Sequence, residues 1–101
     1  MPPLYVALSS KHCRTLCAIF EQPTRADIKW NGFMALYSAL GGEKPRSGRT
    51  TGSRRRLKLH SVRAVLHSPH PQPEMKKGSV ESVRDFLMRA GITPQSQGCR
   101  C

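Results

Sequence analysis

Residues 52–71 read GSRRRLKLHSVRAVLHSPHP, and the alternation inside this stretch decides the fold. Leu57 and Leu59 fall at every second position against Arg56 and Lys58, the period of a pleated strand with one packed and one charged face. Val62, Ala64 and Leu66 repeat that period with Arg63 opposed, so a tight connection at His60-Ser61 makes the two segments a β-hairpin. Arg54, Arg56, Lys58 and Arg63 then form a cationic surface over an apolar underside.

On either side of the hairpin the apolar period changes from two to that of a helix. Cys13, Leu16, Cys17 and Phe20 stand at i, i+3, i+4 and i+7, which predicts a helix over 11–21 that Gln22-Pro23 ends. Phe33, Leu36, Tyr37 and Leu40 repeat the spacing in a second helix, with Asn31 as its N-cap and Gly41-Gly42 as its stop. Trp30 and Tyr37 read as core, with stacking on nucleobases as the alternative use of exposed aromatics. Glu43 begins an edge strand that Pro45 confines to that position, and Arg46 and Arg49 extend the basic surface through a polar connection. Beyond the hairpin, SPHPQPEMKK at 68–77 holds three prolines and excludes regular structure. A last helix runs from Gly78 or Ser79 to Ala90, with Val80, Val83, Phe86 and Leu87 inward and Glu81, Ser82, Arg84 and Asp85 outward; Gly91 stops it.

These elements make one α+β domain over 11–92 in the order helix, helix, three strands, helix, with helices on one face of a three-stranded antiparallel sheet. Residues 1–10 read as a loose leader and 93–101 as a disordered tail. A chain of 101 residues supports one thin core. Its 17 Lys and Arg against 6 Asp and Glu give a net charge of +11, the balance of proteins that meet polyanions. Between Lys44 and Arg63 no acid interrupts the cations, which localises that charge to the hairpin and the connection before it. No apolar run reaches the ~18 residues of a membrane span, and Leu4 to Leu8 lacks the length and preceding charge of a signal peptide, so the expected location is the cytoplasm. Cys13 and Cys17 lie one helical turn apart and Cys99 and Cys101 in a polar stretch, so the four cysteines are expected as reduced thiols. His12, Cys13 and Cys17 diverge around one helix, so neither a metal site nor a cofactor is expected.

From residue 28 to residue 92 the chain resembles the HicA family of bacterial toxins. The resemblance is carried by Gly52-Ser53 opening the basic strand, His70-Pro71 after the hairpin, the Lys77-Gly78 step into the last helix, and Ala90-Gly91-Ile92 at its end. It implies a fold like the double-stranded-RNA-binding domain, a ribonuclease acting on messenger RNA, and silencing by a HicB-type antitoxin protein. At one point the chain departs from the family: Arg54 and Arg55 stand where a histidine usually follows the Gly-Ser pair. Arginine stays charged and binds or stabilises phosphate, whereas a histidine can take the proton of a ribose 2′-hydroxyl.

His60, His67 and His70 remain near the hairpin. His60 is expected as an exposed turn residue. His67 and His70 are the candidate catalytic groups, with a structural His-Pro turn as the other reading of either and Glu74 as a weaker base. His70, held between Pro69 and Pro71, is the first choice. The expected RNA ligands are Arg46, Arg49, Arg54, Arg55, Arg56, Lys58 and Arg63. Three functions stay open: an RNA-cleaving toxin that needs no metal, a binding module of the same fold that no longer cleaves, and a basic DNA- or ribosome-associated protein.

Overall fold

In the computed structural model, which describes residues 8–44 and 54–101, the first helix opens where Ser9 Oγ accepts the N–H of His12 at 3.2 Å. This helix, α1, spans Ser10–Ile19 and buries Leu16 and Ile19. Its last turn is finished from far along the chain: Arg84 Nε donates to Ile19 O at 2.9 Å and Arg84 Nη2 to Thr24 Oγ1 at 3.0 Å. Arg84, expected on the solvent face, is therefore half-buried and satisfies a helix end with a cation where the helix dipole favours one.

Helix α2, Trp30–Ala39, starts one residue before the expected Asn31 cap, and Lys29 caps it without a side-chain bond. Its start is set by the proline-rich loop. Pro73 O accepts the Trp30 N–H at 3.0 Å, and Met75 N–H donates to Ile28 O at 2.8 Å, so two backbone bonds clip residues 28–30 to that loop. Phe33, Leu36, Tyr37 and Leu40 are all buried as the period requires. Gly41 ends the helix at φ +90°, and at Gly42 a Cβ would overlap the Tyr37 ring.

Strands β1, Arg54–Leu59, and β2, Val62–His67, pair antiparallel with Leu59 opposite Val62. The two-residue loop this leaves has φ of +48° at His60 and +70° at Ser61, the primed geometry that a right-twisted hairpin demands. His60 is not simply an exposed turn residue: its Nδ1 lies 3.3 Å from Ala90 O, which ties the turn to the end of helix α3, Lys77–Arg89. Val80, Val83, Phe86 and Leu87 of α3 are fully buried beneath the hairpin with Leu57 and Leu59.

The sheet has two strands among the described residues, rather than the expected three. Glu43 N–H donates to Lys58 O at 3.0 Å on the outer edge of β1, where the expected edge strand would begin. The rest of that strand, with Arg46 and Arg49, falls in 45–53, outside the described residues, as do residues 1–7 of the expected leader.

Two expectations are overturned at the end of the chain. The cysteines are not thiols: Cys13 is bonded to Cys99 and Cys17 to Cys101. Four residues of helix rise about 6 Å and two residues of extended chain span about 6.6 Å, so a C-x3-C helix face and a C-x-C tail match in length when they run side by side. Nor is 93–101 disordered. Thr93 and Ser96 exchange backbone-to-side-chain bonds at 2.8 and 3.0 Å, a 3-10 turn follows over Gln95–Gln97, and Gln97 is buried. Composition suggested solvation; the two covalent ties and the Thr93-Ser96 cap supply what the polar residues lack.

Candidate nucleic-acid interface

Directly opposed residues of an antiparallel pair project to the same face, with Cβ atoms about 4.5–5.5 Å apart. The register therefore sorts the hairpin side chains. Leu57 opposite Ala64 and Leu59 opposite Val62 face the core, together with Arg55 opposite Leu66. Arg54 opposite His67, Arg56 opposite Val65 and Lys58 opposite Arg63 form the outer face. Of the expected RNA ligands, the outer face thus gathers Arg54, Arg56, Lys58 and Arg63, while Arg55 takes the other face, half-buried, with Nη1 donating to Arg54 O at 2.9 Å.

Lys58 and Arg63 are like charges placed directly across a strand pair, an arrangement that costs stability. Glu43 offsets part of that cost through a 3.4 Å ion pair with Lys58 Nζ. Among the described residues no salt bridge reaches Arg54, Arg56 or Arg63. Val65, 46% exposed, lies within this cationic row. Three exposed guanidinium groups and an exposed aliphatic side chain thus share one face of the hairpin.

The two candidate histidines belong to different elements. His67 is exposed at the end of β2, on the outer face and in register with Arg54. His70 is exposed three residues later, in the loop and outside the strand pairing, and Glu74 is half-buried where that loop meets Lys29. His60 is bound to Ala90 on the far end of the hairpin. By register His67 shares the outer face with the arginine row, whereas His60 contacts Ala90, and His70 and Glu74 belong to the loop.

At the edge of β2 away from β1 a cleft of about 130 Å³ lies between the strand and the first turns of α3, lined by Trp30, Val65, Leu66, His67, Gly78, Ser79, Ser82 and Val83. Trp30, read from its position as core, is only half-buried and forms one wall, whereas Tyr37 is buried as expected. The Trp30 ring meets Phe33 edge-on at 5.3 Å. Its position at the very start of a helix, one turn before the core stripe begins, is the signal that could have separated it from Phe33 and Tyr37. Among the described residues no helix is long and apolar enough to cross a membrane.

The family model of the HicA toxin of bacterial toxin-antitoxin systems matches residues 30–92, more than half of the chain. No curated protein and no solved structure matches. The match takes in α2, the hairpin, the proline-rich loop and α3; α1 and the disulfide-bonded tail lie outside it.

Proposed function

This chain belongs to the HicA family of toxins of bacterial toxin-antitoxin systems, and from that membership we propose that it binds messenger RNA on the outer face of the hairpin and cuts it with its own ribose hydroxyl as nucleophile. The observation that carries the reading is the pairing of Arg54 with His67. Arg54 stands where the family resemblance leads one to expect a histidine, and the residue directly across the strand pair is a histidine. The imidazole and the guanidinium have in effect a single cross-strand position between them.

The chemistry follows from those two groups. His67 accepts the proton of a ribose 2′-hydroxyl, the 2′-oxygen attacks the adjacent phosphorus, and the bond from phosphorus to the 5′-oxygen breaks as that oxygen takes a proton from solvent. The products end in a 2′,3′-cyclic phosphate and a 5′-hydroxyl. Arg54 holds the phosphate and the extra charge of the phosphorane, a task for a group that never deprotonates. Arg56 and Arg63 hold the neighbouring backbone. His67 replaces His70 as the preferred base because it shares a face with the cations. The substrate sets the place of action as the cytoplasm, and an antitoxin of the HicB type, presenting acidic groups to this same face, is the partner that would silence it.

The test is incubation of the purified protein with RNA in the presence of a chelator, followed by analysis of fragment ends. Cyclic phosphate termini are expected. RNA that is bound but left intact would overturn cleavage and leave a binding module, the second reading, which draws on Arg54 and Arg55 occupying the histidine's usual place. Absence of RNA binding would overturn both.

A further inference from the structure

We infer that the cleft between β2 and α3 is a nucleobase subsite, in which one unstacked base of single-stranded RNA lies against the Trp30 ring beside His67; this rests on the RNA-binding reading above. The cleft is lined by the Trp30 side chain, by Leu66 with the fully buried Val83 beneath it, and by Ser79 and Ser82. Aromatic face, apolar floor and a few polar groups at the edge are the surroundings that hold a base by stacking and by hydrogen bonds to its rim. Its volume of about 130 Å³ is well below the roughly 300–1,000 Å³ of pockets for drug-sized ligands and is of the size of a single flat ring.

Charge selects the occupant. The cleft shares His67 and Val65 with the outer face of the hairpin, whose Arg54, Arg56 and Arg63 have no salt bridge among the described residues. A ligand engaging both surfaces is anionic along a backbone and carries a flat apolar ring beside it, which describes a nucleotide within a strand. A base in a duplex cannot enter, because its faces are covered by its neighbours, so the subsite selects single strands or loops.

The wall is held in place. Trp30 is fixed at its backbone by the bond from its N–H to Pro73 O and at its ring by the edge contact with Phe33. Ser82 Oγ donates to Gly78 O at 3.1 Å, which leaves its oxygen lone pairs to accept an N–H from a base. A ring pinned on two sides loses little freedom on binding, which is what a stacking platform requires.

The single tryptophan of the chain makes the test direct. Unlabelled single-stranded RNA of mixed sequence is titrated while Trp30 emission is followed, and an abasic strand with the same number of phosphates serves as the second probe. Affinity is measured separately by anisotropy of end-labelled strands. The intact strand should quench Trp30, and the abasic strand should bind more weakly without quenching it. Trp30→Ala should lower affinity for the intact strand by about 5- to 150-fold, the measured worth of one stacked base, with no change in salt dependence. Trp30→Phe should retain most of the affinity. Because Trp30 also contacts Phe33, a second variant avoids the core: Gly78→Leu, where an added Cβ meets nothing within 4 Å, obstructs the cleft from its rim and should weaken binding of the intact strand alone. Tight binding with no quenching and no effect of either variant would overturn the subsite while leaving RNA binding intact. Failure of both strands to bind would overturn it together with the RNA reading.

Discussion

The hydroxyl of Tyr37 accepts the backbone N–H of Lys58 at 2.9 Å, so a side chain of α2 holds the basic strand one residue before its end. The same oxygen lies within donor distance of Lys58 O and Glu43 O, and Glu43 N–H also reaches Lys58 O. One phenol thus closes the edge of β1 where the described sheet stops. Tyr37→Phe leaves the Lys58 N–H without this partner and is expected to cost about 1–3 kcal/mol of stability in denaturant unfolding. Burial pushes the Tyr37 hydroxyl above its ordinary value of 10.0, opposed by the Lys58 backbone bond and reinforced by the Glu43 carboxylate. Above about pH 10 the unfolded chain then holds fewer protons at this group than the folded one, so its contribution falls as pH rises. The gap in stability between wild type and Tyr37→Phe should narrow over that range. A gap that stays constant from pH 8 to pH 11 would contradict the assignment.

Period carried most of the fold. The helix stripe of Phe33, Leu36, Tyr37 and Leu40 and the alternation of Leu57 and Leu59 each state which face is buried, and both faces are buried as read. The basic outer face was legible for the same reason. Long-range relations were not. Nothing local in Arg84 announces that it will cap α1, and nothing in C-x3-C says that its partner lies 86 residues away. The identity of the histidine beside the arginines depended on register: counting back from the two-residue turn puts His67, and only His67, opposite Arg54.

The arginine row yields a prediction in salt. Each phosphate neutralised on a single strand contributes about −0.7 to the slope of log K against log salt concentration. Replacing Arg54, Arg56 and Arg63 together by Ala should flatten that slope by about two units. Lys58→Ala alone should change it by less than one arginine does, because Glu43 already accompanies Lys58. An unchanged slope in the triple variant would move the RNA surface elsewhere on the protein.

The two disulfides are expected to act non-additively. Either one closes a loop of more than 80 residues, worth about 4–5 kcal/mol by chain entropy, but once one is formed the other closes only a small ring worth about half as much. Removing one bridge, by Cys13→Ser with Cys99→Ser or by Cys17→Ser with Cys101→Ser, should therefore cost roughly 2 kcal/mol, and removing both should cost more than twice that. Denaturant unfolding of the oxidised proteins measures this. Both bridges join segments outside the family match, so RNA affinity under conditions where the protein stays folded should be little changed by reduction. Equal, additive costs would show that the bridges constrain different loops in the unfolded chain.

The last prediction separates the two histidines. A general base must reach the 2′-hydroxyl next to the phosphate that the cations hold, and His67 is the histidine on the face with Arg54, Arg56 and Arg63. His67→Ala should lower the cleavage rate by roughly 10²–10⁴ with little change in RNA affinity, since the loss falls on the transition state and leaves ground-state binding alone. His70→Ala, three residues beyond the strand, should do much less. Arg54→Ala should reduce both rate and affinity, because a group that holds the phosphate before reaction also stabilises its added charge during it. Exchanging the two residues, with Arg54→His and His67→Arg together, keeps both groups on the same face at the same separation and should restore part of the activity that either single change removes. A double exchange no better than its worse single variant would show that the side of the strand pair matters as much as the pairing. A fully active His67→Ala with an inactive His70→Ala would transfer the role of base to the loop.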